Sequence, residues 1–154
     1  MDHSASEFKS ELFLIAGDPD AGGTIYGDGI SNNGWFACSD NCAVDRKGRL
    51  WIATDRGRAQ AGFGTGDGLW VADTEGAGRV VSRFFFRCPI GAEATGPGFT
   101  PDGTTLFLSI QHPGDGKGST YENPLTRWPD SSDRLPPRPT VVAITKEDGG
   151  EIGS

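Results

Sequence analysis

The chain has 154 residues, 14 Lys and Arg against 21 Asp and Glu, and a formal net charge of −7. That acidic balance excludes a sequence-independent nucleic-acid binder, which needs a basic footprint. No apolar run approaches the roughly 18 residues of a membrane span, and the polar opening decapeptide reads as no signal peptide. With 24 Gly and 10 Pro the chain is rich in turns, yet its 10% aromatics are too many for a disordered segment.

The predicted elements are strands. In chain order they are 11–16, 49–54, 68–73, 79–87 (returning antiparallel to the one before), 105–110 and 140–144. Each is β-branched or aromatic, of strand length, and bounded by Gly, Pro, Asp or Asn. No stretch sustains a 3.6-residue apolar period; residues 4–14 are the one place where a short helix is conceivable.

Two internal matches organise these strands. AVDRKGRLWIA at 43–53 aligns with FTPDGTTLFLS at 99–109, about 56 residues on, and 70–78 aligns with 142–150. Asp45 and Asp102 fall at equivalent tight turns. Each unit is a hairpin, a connection and a hairpin, which is the signature of a propeller blade. The expectation is an all-β, partial β-propeller of about two four-stranded antiparallel blades. Residues 1–10 read as a flexible N-terminal segment, and 11–154 as the partial propeller. Within it, 11–38 is the tail of a preceding blade, 39–90 one blade, and 91–154 a second blade with an insertion at 114–138. Closure takes about four to eight blades, so the chain reads as a piece of a propeller. Tyr121 and Trp128 are expected to pin the insertion.

Propeller ligands sit at the channel, where the innermost strands begin. Residues 39–41 and 91–96 enter those strands at equivalent positions, which directs Asp40, Asn41 and Glu93 at one channel. Such hard oxygen donors suit calcium or an oxygen-rich iron site. The alternative for Asp40 and Asn41 is a turn capped by their own side chains. Glu93 lies in an apolar, Gly-flanked stretch, where a carboxylate is costly to bury unless paired or metal-bound. Asp55 closes a strand as a ligand or a turn residue. Arg56 and Arg58 either grip an anion by bidentate hydrogen bonds or are solvated. Arg87 pairs with a carboxylate or faces water. His112 at a strand exit is a rim group or a ligand. Residues 115–118 resemble a loose calcium loop but lack the ordered spacing of an EF-hand. Cys38, Cys42 and Cys88 are odd in number and lack a second Cys or His pair for zinc, so they read as ordinary free or buried thiols. No motif for a serine triad, nucleotide cradle or zincin is present, and no residue declares itself catalytic.

Long stretches resemble the PhoX-type alkaline phosphatase family: GAEATGPGFTPDGTTLFLSIQHPGDG (91–116), SDNCAVDRKGRLWIATDRG (39–57), LWVADTEG (69–76) and TYENPLTRWPDSSDRLPPRPTVVAI (120–144). The resemblance runs from about residue 12 to the end and covers the C-terminal portion of the family's propeller. It implies a hydrolase that is exported to the periplasm or cell exterior and releases phosphate from phosphomonoesters, using calcium and iron as metal cofactors. Glu93, in its GAExTG motif, carries over first as a metal ligand, followed by Asp40, Asn41 and Asp55, with Arg56 and Arg87 as phosphate-binding candidates. Family members are several times longer, so an isolated chain is expected to be weakly active or inactive. Two other readings stand beside this one. One is a calcium-dependent lactonase-like propeller, which needs a single divalent cation and no iron. The other is a non-catalytic fragment that self-associates through exposed strand edges and uncovered blade faces.

Overall fold

The computed structural model describes residues 4–56 and 66–154. Seven strands make two antiparallel sheets. The first has the order β1 (Ser39–Val44), β2 (Leu50–Thr54), β3 (Gly68–Ala72), β4 (Arg83–Arg87), and the second β5 (Glu93–Phe99), β6 (Thr105–Gln111), β7 (Thr140–Thr145). A single 3-10 turn, Pro19–Ala21, is the only helical element among the described residues. The all-β, propeller-type expectation holds. The second sheet carries three strands; residues 146–154 turn back instead, and Ile152 N donates to Gly103 O.

Three expectations are corrected. Residues 11–16 form no strand, only an isolated bridge of Ile15 with Ile25. Beyond that bridge the arm is held by an ion pair of Glu11 with Arg79 and by packing, Leu14 and Ala16 lying on Phe36, Ile52 and Trp70. The fourth strand starts at Arg83, not at residue 79. Residues 79–82 are spent on a turn in which Val80 has φ 65° and its N–H bonds Asp73 O. Residues 39–41 and 93–96 lie inside β1 and β5 rather than ahead of them.

The alternation of β6 explains the core. Leu106, Leu108 and Ile110 share one face and are buried. They meet Trp51, Ala53 and Leu69 of the first sheet, Ala94 of the second, and Ala92 just ahead of β5. The three alanines let the sheets approach closely. Trp51 lies edge-on to Phe85 at 4.8 Å and to Phe99 at 5.2 Å, spanning the two sheets. β2 is covered on both faces, because Ile52 points the other way, onto Phe36 and Trp70. That double burial is why its sequence, LWIAT, is almost continuously apolar.

The turn between β1 and β2 ties the units together. The Asp45 carboxylate accepts from Lys47 N (2.9 Å), Arg49 N (3.0 Å), Arg49 Nε (2.6 Å) and Trp51 Nε1 (2.8 Å). Arg49 then donates from its guanidinium to the carbonyls of Ile152 and Gly153. Glu151 adds ion pairs to Arg46 and Lys47. Asp45 thus makes the expected turn and also aims a cation at the far end of the chain.

Burial works against the Asp45 carboxylate, but the N–H groups of Trp51 and Arg49 outweigh it and hold its pKa below the ordinary value. The folded state therefore binds this proton less tightly than the unfolded one. Its stabilisation is complete above the unfolded value of about 3.9 and is lost as pH falls through the lower folded value. Asp45→Asn is expected to cost on the order of 3 kcal/mol at pH 7. In urea unfolding, the gap between variant and wild type should narrow as pH falls from the unfolded value through the lowered folded one.

Candidate active site

β1 and β5 lie side by side, joined through Asn41. Its Oδ1 accepts from the Thr95 hydroxyl and from Gly96 N (2.9 Å), and its Nδ2 donates to Asp40 Oδ2 (2.9 Å). Both strands are irregular at this point: the β1 register shifts between Ser39 and Cys42, and that of β5 between Thr95 and Gly98. Such bulges interrupt the ladder and re-aim side chains. Here they free the Gly96 N–H for Asn41. Asp40 is exposed and, with Ser39, Asn41 and Cys42, borders a cleft of about 260 Å³ against Phe13 and Leu14.

Glu93 begins β5 and is only 8% exposed. Gln111, directly across in the register, donates from Nε2 to Glu93 Oε1. His112 Nε2 lies 3.1 Å from Glu93 Oε2, and His112 Nδ1 lies 3.0 Å from Gly91 O. A carbonyl only accepts, so Nδ1 carries a hydrogen and donates to Gly91. The second contact then needs one more proton, held on Nε2 or on Glu93. The exposed Asp55 completes the group, its carboxyl in hydrogen-bonding contact with Glu93.

The electrostatics follow from that crowding. Burial raises the Glu93 pKa and Asp55 raises it further, against the opposing pull of His112. At His112 burial disfavours the charged ring, but the bonds to Glu93 and Gly91 and the charge of Glu93 outweigh it, and the pKa rises. The site is a proton-sharing Glu–His pair with a second carboxylate against it. Local backbone holds it in place. Gly91 has φ 74°, and a Cβ there would collide with the Asp115 backbone, so the root of the insertion sits directly on the Glu93 segment.

The structure brings Asp55 and Glu93 together, with Asp40 and Asn41 linked to them through β5. Arg56 does not join them. The Arg56 side chain is buried against Asp67, with its guanidinium over Trp35 (5.7 Å) and Trp70 (6.0 Å). Arg87 is exposed over Phe84 on β4, opposite Gly68 of β3. Arg58 lies outside the described residues. Among the described residues, no group of three or more His, Cys, Asp or Glu is arranged to hold a metal ion alone. Trp128 pins the insertion by packing on the main core, but Tyr121 is 73% exposed and does not. Within the insertion, Arg138 bonds Asp130 (2.6 Å) and Arg127 bonds the carbonyls of Glu122 and Leu135. Cys38 and Cys42 are exposed, and Cys88 is buried, burial pushing its thiol up to about 12, beyond useful reactivity. Sequence reasoning missed Gln111. The Asp102–Gly103 turn fixes the β5–β6 register and, allowing for the bulge, would have placed Gln111 opposite Glu93.

The family model for alkaline phosphatase PhoX matches residues 1–114. Among solved structures, the chain is similar to PhoX of Pseudomonas fluorescens in complex with vanadate, described as a transition state analogue. The TM-score is 0.71 at 35% identity, over 92% of this chain and 24% of that one. The chain thus spans about a quarter of the length of the protein it matches. No curated protein matches it.

A buried glutamate pressed against another carboxyl is a local cost to the metal-free fold. Glu93→Gln keeps the shape and removes that cost. Without added metal, its urea midpoint is expected to rise, by up to about 1 kcal/mol of stability. A fall in the midpoint would show that the carboxylate serves the fold.

Proposed function

The chain belongs to the PhoX alkaline phosphatase family, and on that premise we propose that it contributes part of the metal site of a propeller that hydrolyses phosphomonoesters. The observation that carries this reading is the contact between the Glu93 and Asp55 carboxyls at the start of the inner strands. Two carboxyls in contact resist joint ionisation unless a cation lies between them. The donors are hard oxygens, which fits calcium, and iron as the second metal is compatible with the same set. Glu93 and Asp55 would hold the cation, with Asp40 and Asn41 at the flank. A cation bound there supplies charge neutralisation to the phosphate oxygens.

The chain's own residues do the rest by positioning. Gln111 and His112 fix the two oxygens of Glu93, and Asn41 locks β1 to β5 so that the acidic group keeps its spacing. His112 Nε2 exchanges a proton with Glu93 Oε2, which leaves the carboxylate free to ionise when a cation arrives. The buried Arg56 is poorly placed for phosphate, whereas the exposed Arg87 remains open to solvent. We assign those contacts to the part of the fold that this chain does not span. The proposal carries with it the periplasmic or extracellular setting that the resemblance implies.

Metal analysis and p-nitrophenyl phosphate hydrolysis on one sample test this reading. The expected result is calcium retained through gel filtration and lost in Glu93→Ala, with weak hydrolysis lost in the same variant. A chain that retains no metal and hydrolyses nothing would overturn it.

Self-association is supported by the outward face of the second sheet. Phe107 and Val141, on that face, are 44% and 62% exposed. The average mass in light scattering is then expected to rise with concentration, and to rise less in Phe107→Ser.

A further inference from the structure

Asp55 is the one exposed member of a sealed segment. Thr54 is fully buried, Arg56 is 4% exposed and Asp67 is 1% exposed. The residues on either side of Asp55 are fastened to the same atom. Thr54 Oγ1 donates to Asp67 Oδ1 at 2.8 Å, and Arg56 N donates to Asp67 Oδ1 at 3.0 Å. Thr54 Oγ1 also accepts from Gly68 N at 3.2 Å, which ties the clasp to the start of β3. Asp55's own N–H is taken by Cys38 O at 3.0 Å. The Arg56 guanidinium closes the back, facing Trp35 and Trp70, with its Nε 3.9 Å from Asp67 Oδ1.

The energetics argue against a purely stabilising purpose. A buried ion pair is weak evidence for stability, because apolar side chains of similar volume often serve as well or better. What this pair achieves is geometric: it fixes the backbone before and after Asp55 and leaves only that side chain to point outward. We propose that Thr54, Arg56 and Asp67 form a buried clasp that positions the Asp55 carboxylate beside Glu93 for cation binding. The inference rests on the reading of Asp55 and Glu93 as cation ligands. It gives Arg56 a positioning role in place of a phosphate contact.

Calcium titration calorimetry on the full chain tests it, with calcium chloride as the probe. Thr54→Val keeps the shape and removes only the hydroxyl. It is expected to weaken calcium binding about tenfold, as losses behind metal ligands commonly do. Thr54→Ser, which restores the hydroxyl, is expected to recover most of that loss. Asp67→Asn should act like Thr54→Val. If Asp55→Asn weakens binding while Thr54→Val does not, the clasp proposal fails and the ligand reading survives. If Asp55→Asn binds calcium as wild type does, the ligand reading itself fails. Should Asp67→Asn not fold, the Thr54→Val and Thr54→Ser pair still decides.

Discussion

The four N–H donors that converge on the Asp45 carboxylate are the constraint on which the rest of the arrangement leans. They set the β1–β2 turn, fix Trp51 by its ring nitrogen, and hold Arg49 so that its guanidinium reaches the carbonyls of Ile152 and Gly153. Trp51 then bridges the sheets through Phe85 and Phe99. One small turn therefore links two sheets that share no hydrogen-bonded strands. At the opposite end of the same strands that link becomes chemical, because Asn41 on β1 meets Thr95 and Gly96 on β5.

The acidic end has the opposite character. Its two carboxyls, Glu93 and Asp55, are crowded and oppose joint ionisation, with His112 pulling the other way. Asp45 is held in its charged form by its surroundings, whereas Glu93 is pushed toward its neutral form by burial and by Asp55. A fold optimised for stability alone would not place a glutamate there. The supports around it, Gln111, His112, the Gly91 turn and the segment fastened to Asp67, all limit where these carboxyls can go.

Much of this was legible in the sequence, for physical reasons. Strand type followed from β-branched and aromatic runs between turn residues, and the two-unit plan from the match of 43–53 with 99–109. Glu93 stood out because a charge in an apolar stretch needs a partner, and His112 because it sits at a strand exit. The failures are equally physical. Residues 11–16 have strand composition but pair only at Ile15, with Ile25, and pairing is not encoded locally. Residues 79–82 continue an apolar run, yet the bond from Val80 N to Asp73 O uses them as a turn. Arg56 looked like a solvent-facing anion ligand because Trp35 and Trp70, which cover it, are distant in sequence. Asp67 could not be read as the partner of Thr54 without the β2–β3 pairing that brings them together.

The central claim is that Asp55 and Glu93 hold a cation between them. A crystal structure of the chain grown with calcium, with anomalous data to identify the ion, tests it most directly. The account predicts one ion bound by oxygens of both carboxylates, with His112 still on Glu93. Calcium bound elsewhere, or the two carboxyls hydrogen-bonded to each other with no ion between them at saturating calcium, would contradict it.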